Sequence, residues 1–366
     1  MVTNPGKEEQ PVQFPVVNSF NEWDLLEEAI VGNIDGASVP FWHVCLQATM
    51  PRDQWEFYQT FGGKPFPSGQ IELARQDLEE FVHILEAEGV IVRRPEILDH
   101  NQPYSTPNWE SPGGLYAAMP RDVLLVIGNE IIEAPMAWRS RYFEVNAYRP
   151  LIKDYFRKGA KWTAAPKPLL SDEFYNYNYK EPTGNQVTEY VITEWEPTFD
   201  AADFIRCGRD IFYQKSHVTN EFGINWLESH LGDRFVLHEI QVNDPHPMHI
   251  DATFMPLAPG KLLLNRERIK KISEMFKTWD IFYVPQPGLA DNHTLYMTSK
   301  WINMNVLMLD HERVIVEKGE ESMIKLLKNM GLKPIPCGFT HFNTFGGSFR
   351  CSTLDIRRRG ELQSYF

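Results

Sequence analysis

The sequence predicts an α/β fold in which five similar units, each of two strands, a helix and a third strand, are arranged radially around a central axis. An amphipathic helix followed by a stop signal and a short apolar strand recurs five times along the 366 residues. Strand-like pairs lie between these copies, and polar clusters recur at steps of about 50 residues, close to the length of one unit. Such periodicity indicates a repeat architecture. Because helices and strands alternate in any α/β protein, an arrangement without radial repetition is the alternative.

The five helical segments carry apolar residues at the spacing of one helical face, and four of them end at a glycine. Glycine adopts the left-handed conformation that commonly ends a helix, which favours a stop there. The apolar residues and stops are Leu78, Phe81, Val82 and Leu85 with Gly89; Leu151, Ile152, Tyr155 and Phe156 with Gly159; Ile224, Trp226, Leu227 and Leu231 with Gly232; Ile272, Met275 and Phe276 with no glycine; and Ile324, Leu327 and Met330 with Gly331.

Short apolar strands follow these helices, and strand pairs lie between the copies. Residues 123–132 and 306–316 each predict a hairpin, with turns at Gly128 and at Asp310. The strands that follow the helices are predicted at residues 90–92, 235–237, 281–284 and 332–335.

Length alone would suggest two or three domains, but the five-unit pattern predicts a single domain at residues 18–366. The polar, proline-bearing start of the chain predicts a flexible tail at residues 1–17. The net charge of −13 argues against nucleic acid or an anionic membrane as a partner and suits a cationic small molecule. The best apolar run, residues 123–127, is too short to cross a bilayer, and the start of the chain does not resemble a secretory signal. We therefore predict a cytoplasmic protein that acts on small molecules, with a homodimer as one option.

The four cysteines are scattered and include no C-x-x-C pair: Cys45, Cys207, Cys337 and Cys351. Neither a disulfide framework nor a cysteine zinc site is indicated, and we predict no metal and no cofactor. Each cysteine is therefore either a small buried apolar residue or a reactive thiol. Cys351 follows the pair Gly346 and Gly347, which permits close approach of the backbone near the thiol.

Polar clusters beside the predicted strands carry residue types that could perform chemistry. They span residues 119–122, 199–203, 248–251 and 346–351, with a weaker fifth at residues 297–301. In a closed ring of five units, all of these clusters would meet at the central axis. A thiolate beside an imidazole is a strong nucleophile, so we predict that Cys351 lies near His249. Three carboxylates near a thiol suit a planar cation such as guanidinium, and the candidates are Asp122, Asp200 and Asp251.

Simpler interpretations of these residues stay open. Cys351 is alternatively a buried thiol of the last strand, and His249 a hydrogen-bonded core histidine. His246, His249 and Asp251 form an H-x-x-H-x-D pattern that could bind a metal. Histidines three residues apart on an extended segment point to opposite faces, however, which disfavours that site.

Five ordered segments resemble the arginine:glycine and arginine:inosamine-phosphate amidinotransferases. They are residues 20–24 (FNEWD), 133–141 (EAPMAWRSR), 199–203 (FDAAD), 248–253 (MHIDAT) and 355–360 (DIRRRG). The resemblance runs from about Val17 to the C-terminus. It implies the pentein fold, a five-bladed α/β propeller of ββαβ modules around a central active site, which agrees with the number of units predicted above.

The resemblance also implies a role for each site residue. Cys351 would be the nucleophile, His249 the general acid and base, and Asp200 the group that orients the imidazole. The residues implied to bind arginine are Asp122 and Asp251 at the guanidinium, and Arg268, Ser299 and Thr298 elsewhere on the substrate. The implied reaction is a ping-pong transfer of the amidino group of arginine to an acceptor amine through amidino-cysteine, with release of ornithine.

The chain departs from the glycine-using enzymes at several positions near this site. It has His246 where they have asparagine, Thr298 where they have serine, Ser348 where they have glycine, and Arg350 where they have histidine, whereas Met248 is retained. Histidine is bulkier than asparagine and titrates near neutral pH. We therefore predict that the segment from His246 to Met248 sets acceptor specificity. The expected acceptor is an amine other than glycine, such as one in a guanidino natural-product pathway of the saxitoxin type.

Four other functions are alternatives. Glycine could be the acceptor, giving guanidinoacetate, or water could replace the acceptor as in an arginine deiminase, giving citrulline. A noncatalytic member of the fold, acting as a ribosome-associated binding factor, would not be expected to keep Cys351, His249 and the aspartates together. A metallohydrolase would lose activity to chelators and tolerate Cys351→Ser, the reverse of what we expect.

Overall fold

Seventeen strands form six sheets in the part of the chain that the structure, a computed structural model, describes: residues 15–183, 189–269, 271–289, 293–297 and 299–366. The strands are, in chain order, β1 (Leu25–Val31), β2 (Ile91–Arg93), β3 (Tyr104–Ser105), β4 (Glu110–Ser111), β5 (Leu124–Ile127), β6 (Glu130–Glu133), β7 (Lys161–Ala164), β8 (Phe204–Cys207), β9 (Asp210–Tyr213), β10 (Val236–Glu239), β11 (Phe254–Ala258), β12 (Lys261–Leu264), β13 (Asp280–Tyr283), β14 (Leu307–Met308), β15 (Arg313–Glu317), β16 (Lys333–Cys337) and β17 (Thr353–Arg359).

Five of these sheets repeat one topology, in which a central strand pairs antiparallel with the strand before it and parallel with the strand after it. Four are continuous in the chain, and their central strands are β6, β9, β12 and β15. In the fifth, the central strand β1 pairs antiparallel with the last strand β17 and parallel with β2. The two ends of the chain therefore meet in one sheet and close the ring. The predicted five-bladed α/β propeller is confirmed.

Helices connect the second and third strands of the blades and also cover the first blade. The α-helices within the described ranges are α1 (Val44–Thr49), α2 (Trp55–Phe61), α3 (Ser68–Ala87), α4 (Pro120–Val123), α5 (Arg149–Arg157), α6 (Glu221–Leu231), α7 (Glu321–Asn329) and α8 (Thr340–Asn343). The 3-10 helices are Arg52–Gln54, Arg139–Arg141, Glu144–Tyr148, Asp172–Phe174, Ala201–Asp203, Gly232–Arg234, Ile250–Ala252, Glu274–Phe276 and Lys300–Met304. In the part of the chain so described, no helix has the length and apolar character needed to cross a membrane.

Four of the five predicted helices are confirmed, as α3, α5, α6 and α7. The four predicted glycine stops have positive φ angles, including +99° at Gly159 and +79° at Gly331. Every blade has its third strand, and the apolar runs predicted four of the five; β7 was not predicted. Helical periodicity with a glycine stop was thus a sufficient signal in those units.

The predicted helix at residues 272–276 is wrong, because the structure has only the 3-10 helix Glu274–Phe276 there. Ser273 is extended, with φ −61° and ψ 142°, and its hydroxyl accepts a hydrogen bond from the Met275 backbone N–H. A helix therefore cannot extend back through residue 273. Phe276 is buried without a helical stripe of apolar neighbours, and β13 begins at Asp280.

The last residues of the predicted tail pack on the folded part of the chain instead of extending from it. Val17 is fully buried and Val16 packs against the same apolar cluster. Asn18 then bonds to the last strand, its backbone N–H donating to the carbonyl of Ile356 at 2.9 Å. Residues 1–14 of the predicted tail lie outside the described residues. The packing of Val16 and Val17 therefore holds the end of this segment against the core.

A buried network of charged side chains links the first strands of several blades to β17. Arg206 on β8 donates to Asp355 Oδ2 at 2.7 Å and to Glu22 Oε1 at 3.1 Å. Arg121 donates to Asp355 Oδ1 at 2.8 Å, and Arg350 pairs with Glu22 at 3.3 Å. Although burial raises the pKa of Glu22, the three arginines hold it well below its usual value. The network therefore stays charged and fixes the segment that precedes β17.

Candidate active site

The predicted site residues lie where the first strand of each blade begins. Asp122 in α4 lies two residues before β5, and Cys351 two residues before β17. Asp251 lies in the 3-10 helix before β11, and Asp200 immediately precedes the 3-10 helix that leads into β8. These short helices contact one another across the ring. Residues far apart in the sequence are thereby brought to one place, as the radial arrangement predicted.

His249 is held between two buried carboxylates. Its Nε2 donates to Asp200 Oδ2 at 3.1 Å, and its Nδ1 lies 3.7 Å from Asp122 Oδ1. Burial lowers the pKa of His249, but Asp122, Asp200 and Asp203 outweigh burial and raise the pKa to about 9. The imidazole is therefore protonated at neutral pH and able to give up a proton, as a general acid must.

The backbone of His249 is strained. Its φ of +60° lies in a region that residues other than glycine seldom adopt. Such strain persists where the surroundings hold it and is concentrated at functional sites. The unusual backbone conformation of His249 directs its ring toward Asp200 and Asp122.

The sulfur of Cys351 is surrounded by hydrogen-bonding groups. Sγ donates to Asp251 Oδ2 at 3.1 Å and accepts from Asn305 Nδ2 at 3.0 Å. Asp251 Oδ2 also accepts from Asn305 Nδ2 at 2.7 Å and from Arg350 Nη1 at 3.1 Å. The sequence did not point to Asn305, because a single asparagine has no spacing or charge that distinguishes it.

The resting sulfur is a neutral thiol. Burial raises the pKa of Cys351 well above its usual value, Asp251 and Asp122 raise it further, and Arg350 opposes them. This differs from the thiolate that the sequence led us to expect, since the carboxylates that suit a cation also repel a negative sulfur. A cation bound between the sulfur and the carboxylates would lower the pKa of the thiol.

Arg141, for which the sequence suggested no role, anchors the carboxylates around His249. It makes two hydrogen bonds to Glu144, at 2.7 and 2.8 Å, and donates to Asp122 Oδ2 at 2.9 Å. Among the described residues, Oδ1 of Asp122 and Oδ1 of Asp200 are buried and have no hydrogen-bond partner. Buried oxygens are usually hydrogen-bonded, so these two retain the capacity to accept further N–H donors beside His249.

Arg268 and Ser299 also lie together, at the half-buried edge of the site. Arg268 Nη2 donates to Ser299 Oγ at 3.2 Å and pairs with Asp244 Oδ2 at 3.1 Å. Their proximity agrees with the prediction that both contact one end of a substrate, which stays a prediction. Thr298, predicted beside them, lies outside the described residues.

His246 and Met248 are half-buried on the segment that leads to His249. His246 Nδ1 donates to the carbonyl oxygen of Ala48 in α1 at 2.8 Å, which ties this segment to the first blade. Met248 packs against the apolar cluster of that blade. The rings of His246 and His249 thus bond to different groups. Within the described ranges, no three histidine, cysteine or acidic side chains are grouped so that they could hold a metal ion.

Asp122 connects the two halves of the site. It raises the pKa of His249 and also that of Cys351, so it lies within electrostatic reach of both groups. The structure therefore brings Cys351, Asp251, Asp122, His249 and Asp200 together. Their individual roles in a reaction remain predictions.

Relatives of this chain transfer amidino groups. No protein-family model matches the chain. The L-arginine:L-lysine amidinotransferase of Pseudomonas savastanoi pv. phaseolicola is 58% identical over 354 residues, which cover 97% of this chain and 98% of that protein. The mitochondrial glycine amidinotransferase of Xenopus tropicalis is 51% identical over 363 residues, which cover 97% of this chain and 86% of that protein.

Solved structures agree with these relatives. SxtG of Microseira wollei, an amidinotransferase of the saxitoxin biosynthetic pathway, is 54% identical with a TM-score of 0.93 over 96% of this chain and all 100% of that one. Dimethylarginine dimethylaminohydrolase of Pseudomonas aeruginosa is 13% identical with a TM-score of 0.56 over 90% of this chain and 99% of that one, and shares the pentein fold alone. This chain therefore belongs to the amidinotransferase family, enzymes that transfer amidino groups.

Proposed function

We propose that this chain transfers the amidino group of L-arginine to a primary amine other than glycine, through a covalent intermediate on Cys351, and releases ornithine. The observation that supports the proposal most directly is the set of three buried carboxylates, of which Asp251 bonds to Cys351 while Asp122 and Asp200 lie on either side of His249. Two carboxylate oxygens there, on Asp122 and Asp200, have no partner among the described residues. A guanidinium group supplies N–H donors that such oxygens accept.

The guanidinium would lie between Asp122 and Asp251, with its carbon facing Cys351. Carboxylates on both sides draw the positive charge onto the nitrogens, which leaves the carbon more open to attack. Arg268 with Ser299 would bind the α-carboxylate of arginine, because a guanidinium and a hydroxyl both donate to carboxylate oxygens. The net charge of −13 favours approach of a cationic substrate over long range.

Arginine would itself activate the nucleophile. Burial, Asp251 and Asp122 keep the pKa of the Cys351 thiol high in the free chain. A guanidinium bound against these carboxylates neutralises their charge beside the sulfur, so the pKa of the thiol falls and its proton is released to solvent. Side reactions of the sulfur with other compounds are thereby limited, because the reactive thiolate forms only with substrate in place.

The transfer then takes two half-reactions. The thiolate forms a bond to the guanidinium carbon, the bond from that carbon to Nε of arginine breaks, and protonated His249 gives its proton to the departing nitrogen. Ornithine leaves, and the amidino group stays on Cys351. The acceptor amine then forms a bond to the same carbon and passes a proton to His249, while the carbon–sulfur bond breaks and restores the thiolate.

The acceptor is proposed from the residues that differ from the glycine-using enzymes. Ser348 and Arg350 are buried, and Arg350 is already bonded to Asp251 and Glu22. His246 is half-buried and fixed by its bond to Ala48, which leaves the other face of its ring able to contact a second substrate. The 58% identical relative is named for lysine as acceptor, and SxtG for the saxitoxin pathway. An amine longer than glycine, including one in natural-product biosynthesis, fits these features.

Mass spectrometry of the protein after incubation with arginine alone tests the first half-reaction. We expect one amidino group on the peptide that contains Cys351, one ornithine released per site, and no adduct in Cys351→Ser. Absence of the adduct in the unchanged protein would reject the covalent mechanism. Citrulline formed without any added amine would instead support an arginine deiminase.

A panel of acceptors tests the second half-reaction. Glycine, lysine and longer primary amines are each added to the isolated adduct, and loss of the amidino group is followed. We expect faster discharge by the longer amines. A clear preference for glycine would reject the proposed acceptor and favour glycine amidinotransferase activity, which the 51% identical relative carries in its name. The single domain at residues 18–366, the cytoplasmic location and the homodimer stay predictions.

A further inference from the structure

One side chain contacts both the sulfur of Cys351 and the carboxylate beside it. Asn305 is buried and lies two residues before β14. Its Nδ2 donates to Cys351 Sγ at 3.0 Å and to Asp251 Oδ2 at 2.7 Å. Its Oδ1 accepts the backbone N–H groups of Arg350 at 3.0 Å and Cys351 at 3.1 Å. Both donor positions and both acceptor positions of the amide are therefore used around the nucleophile.

The two hydrogen bonds from Asn305 Nδ2, to Cys351 Sγ and to Asp251 Oδ2, reduce a repulsion that would arise if the sulfur lost its proton. Cys351 Sγ and Asp251 Oδ2 are 3.1 Å apart, and the thiol hydrogen lies between them in the resting state. When that proton leaves, a negative sulfur faces a negative oxygen at the same separation. A donor that bonds to both atoms reduces their repulsion, and hydrogen bonds to a charged form favour that form. Arg350 assists only from the side of Asp251, where its Nη1 donates to the same oxygen.

We propose that Asn305 is a catalytic residue of this chain, whose amide donates to the Cys351 sulfur and the Asp251 carboxylate together and so permits the sulfur to become an anion beside that carboxylate. The inference rests on the proposed function, because it takes Cys351 as the nucleophile. Asn305 therefore acts in both half-reactions, since the thiolate is the attacking group in the first and the leaving group in the second.

A purely structural role for Asn305 is the competing explanation, because its Oδ1 holds the backbone of residues 350 and 351. The chain contains a matched example of such a role. Asn21 accepts from the backbone N–H groups of Trp23 at 3.1 Å and Asp24 at 2.8 Å, and its Nδ2 donates to Asp24 Oδ2 at 2.7 Å and to the Tyr365 hydroxyl at 2.9 Å. The bond pattern is the same, but no atom there reacts.

The same change, asparagine to aspartate, is made at each position in turn, giving the variants Asn305→Asp and Asn21→Asp. Aspartate keeps an oxygen that accepts the two backbone N–H groups but replaces the donating NH2 with a second oxygen. The first measurement is the rate at which iodoacetamide alkylates Cys351 between pH 6 and pH 10, read on the Cys351 peptide. The second is the rate of amidino adduct formation with arginine, and circular dichroism checks folding in both variants.

We expect Asn305→Asp to slow alkylation of Cys351 by about 10-fold to 100-fold at a given pH, because a lost hydrogen bond to a charged group raises the pKa of the thiol by about 1 to 2 pH units. Adduct formation should slow at least as much. Asn21→Asp should lower thermal stability and leave both rates at the level of the unchanged protein. If Asn305→Asp does not fold, Asn305→Ala is judged by the same rates.

Two results would overturn the inference. One is a folded Asn305 variant that is alkylated and forms the adduct as fast as the unchanged protein. The other is an Asn21→Asp variant slowed as much as the Asn305 variant, since both effects would then be structural. Failure of the proposed function looks different, because the unchanged protein itself would form no adduct with arginine while the alkylation rates still report on Asn305.

Discussion

Replacement of Asp200 by asparagine should move the pH dependence of the first half-reaction. Asp200 Oδ2 accepts from His249 Nε2 at 3.1 Å, and both residues are buried. Asparagine has nearly the same shape as aspartate, so Asp200→Asn removes the negative charge and leaves the packing. The pKa of His249 is raised to about 9 against burial, with Asp122 and Asp200 as the main causes. Loss of one of these two carboxylates must therefore lower that pKa.

The size of the change follows from the contact. A hydrogen bond to a charged group contributes about 1.5 to 3 kcal/mol, and each pH unit corresponds to about 1.4 kcal/mol. The pKa of His249 should fall by about 1 to 2 pH units, from about 9 to between about 7 and 8. At pH 8 the protonated fraction of His249 then falls from about nine tenths to between about one half and one tenth. In the proposed mechanism protonated His249 gives its proton to the departing ornithine, so the rate should begin to fall at a correspondingly lower pH.

Single-turnover release of ornithine between pH 6 and pH 10 measures this directly. We expect the decline at high pH to start about 1 to 2 pH units lower in Asp200→Asn than in the unchanged protein. Asp210→Asn is the matched control. Asp210 Oδ1 and His238 Nε2 form a hydrogen bond of 2.7 Å, and this pair lies outside the site. If the decline stays where it is in Asp200→Asn, or moves equally in the control, Asp200 does not set the protonation of His249.

Three further substitutions, one of them with a matched control, test other contacts. Asp122→Asn should weaken arginine binding by about 10-fold to 100-fold, because it removes the charge of a carboxylate proposed to bind the guanidinium. Binding is measured by calorimetry in a Cys351→Ser background, and an unchanged affinity would exclude that contact. Arg141→Met should lower the free energy of unfolding in urea by about 3 to 5 kcal/mol by leaving buried carboxylates unpaired. The matched control is Arg75→Met, which removes a partly exposed pair with Asp35 and should cost less than about 1 kcal/mol. Equal losses in the two variants would contradict this reasoning. His246→Asn should shift acceptor preference toward glycine in competition assays; an unchanged ranking would place specificity elsewhere.

The fold was predictable where local signals agreed with the tertiary structure. Periodic apolar residues and a glycine stop identified four helices, because a helix that packs on a blade must show that stripe. The fourth unit lacks the glycine and has an extended Ser273, so three apolar residues at plausible spacing were misleading. Closure of the ring through β1 and β17 joins residues more than 300 positions apart, from Leu25 with Arg359 to Val31 with Thr353. No local pattern records such a pairing.

The site was predictable only for residues whose chemistry is distinctive. A thiol, an imidazole and carboxylates stood out, and the steps of about 50 residues pointed to Ser299 as the contribution of the fifth unit. In the structure, Asn305 occupies the position two residues before the first strand of that blade, as Asp122 and Cys351 do in theirs. Counting back from each predicted first strand, rather than forward by a fixed step, would have found it. Arg141 could not be found in this way, since its role depends on a contact with Asp122.

The position of Cys351 ties the proposed nucleophile to closure of the whole ring. Cys351 lies two residues before β17, and β17 is paired with β1 rather than with the strands that precede it in the chain. Asp355 on β17 accepts from Arg206 and Arg121, which belong to two other blades. The sulfur therefore reaches Asn305 and Asp251 only when the first and last strands have met and the buried charges are paired. A chain with any blade displaced would leave those charges uncompensated at high cost, so an enzyme of this design has its reactive thiol in place only when the ring is complete.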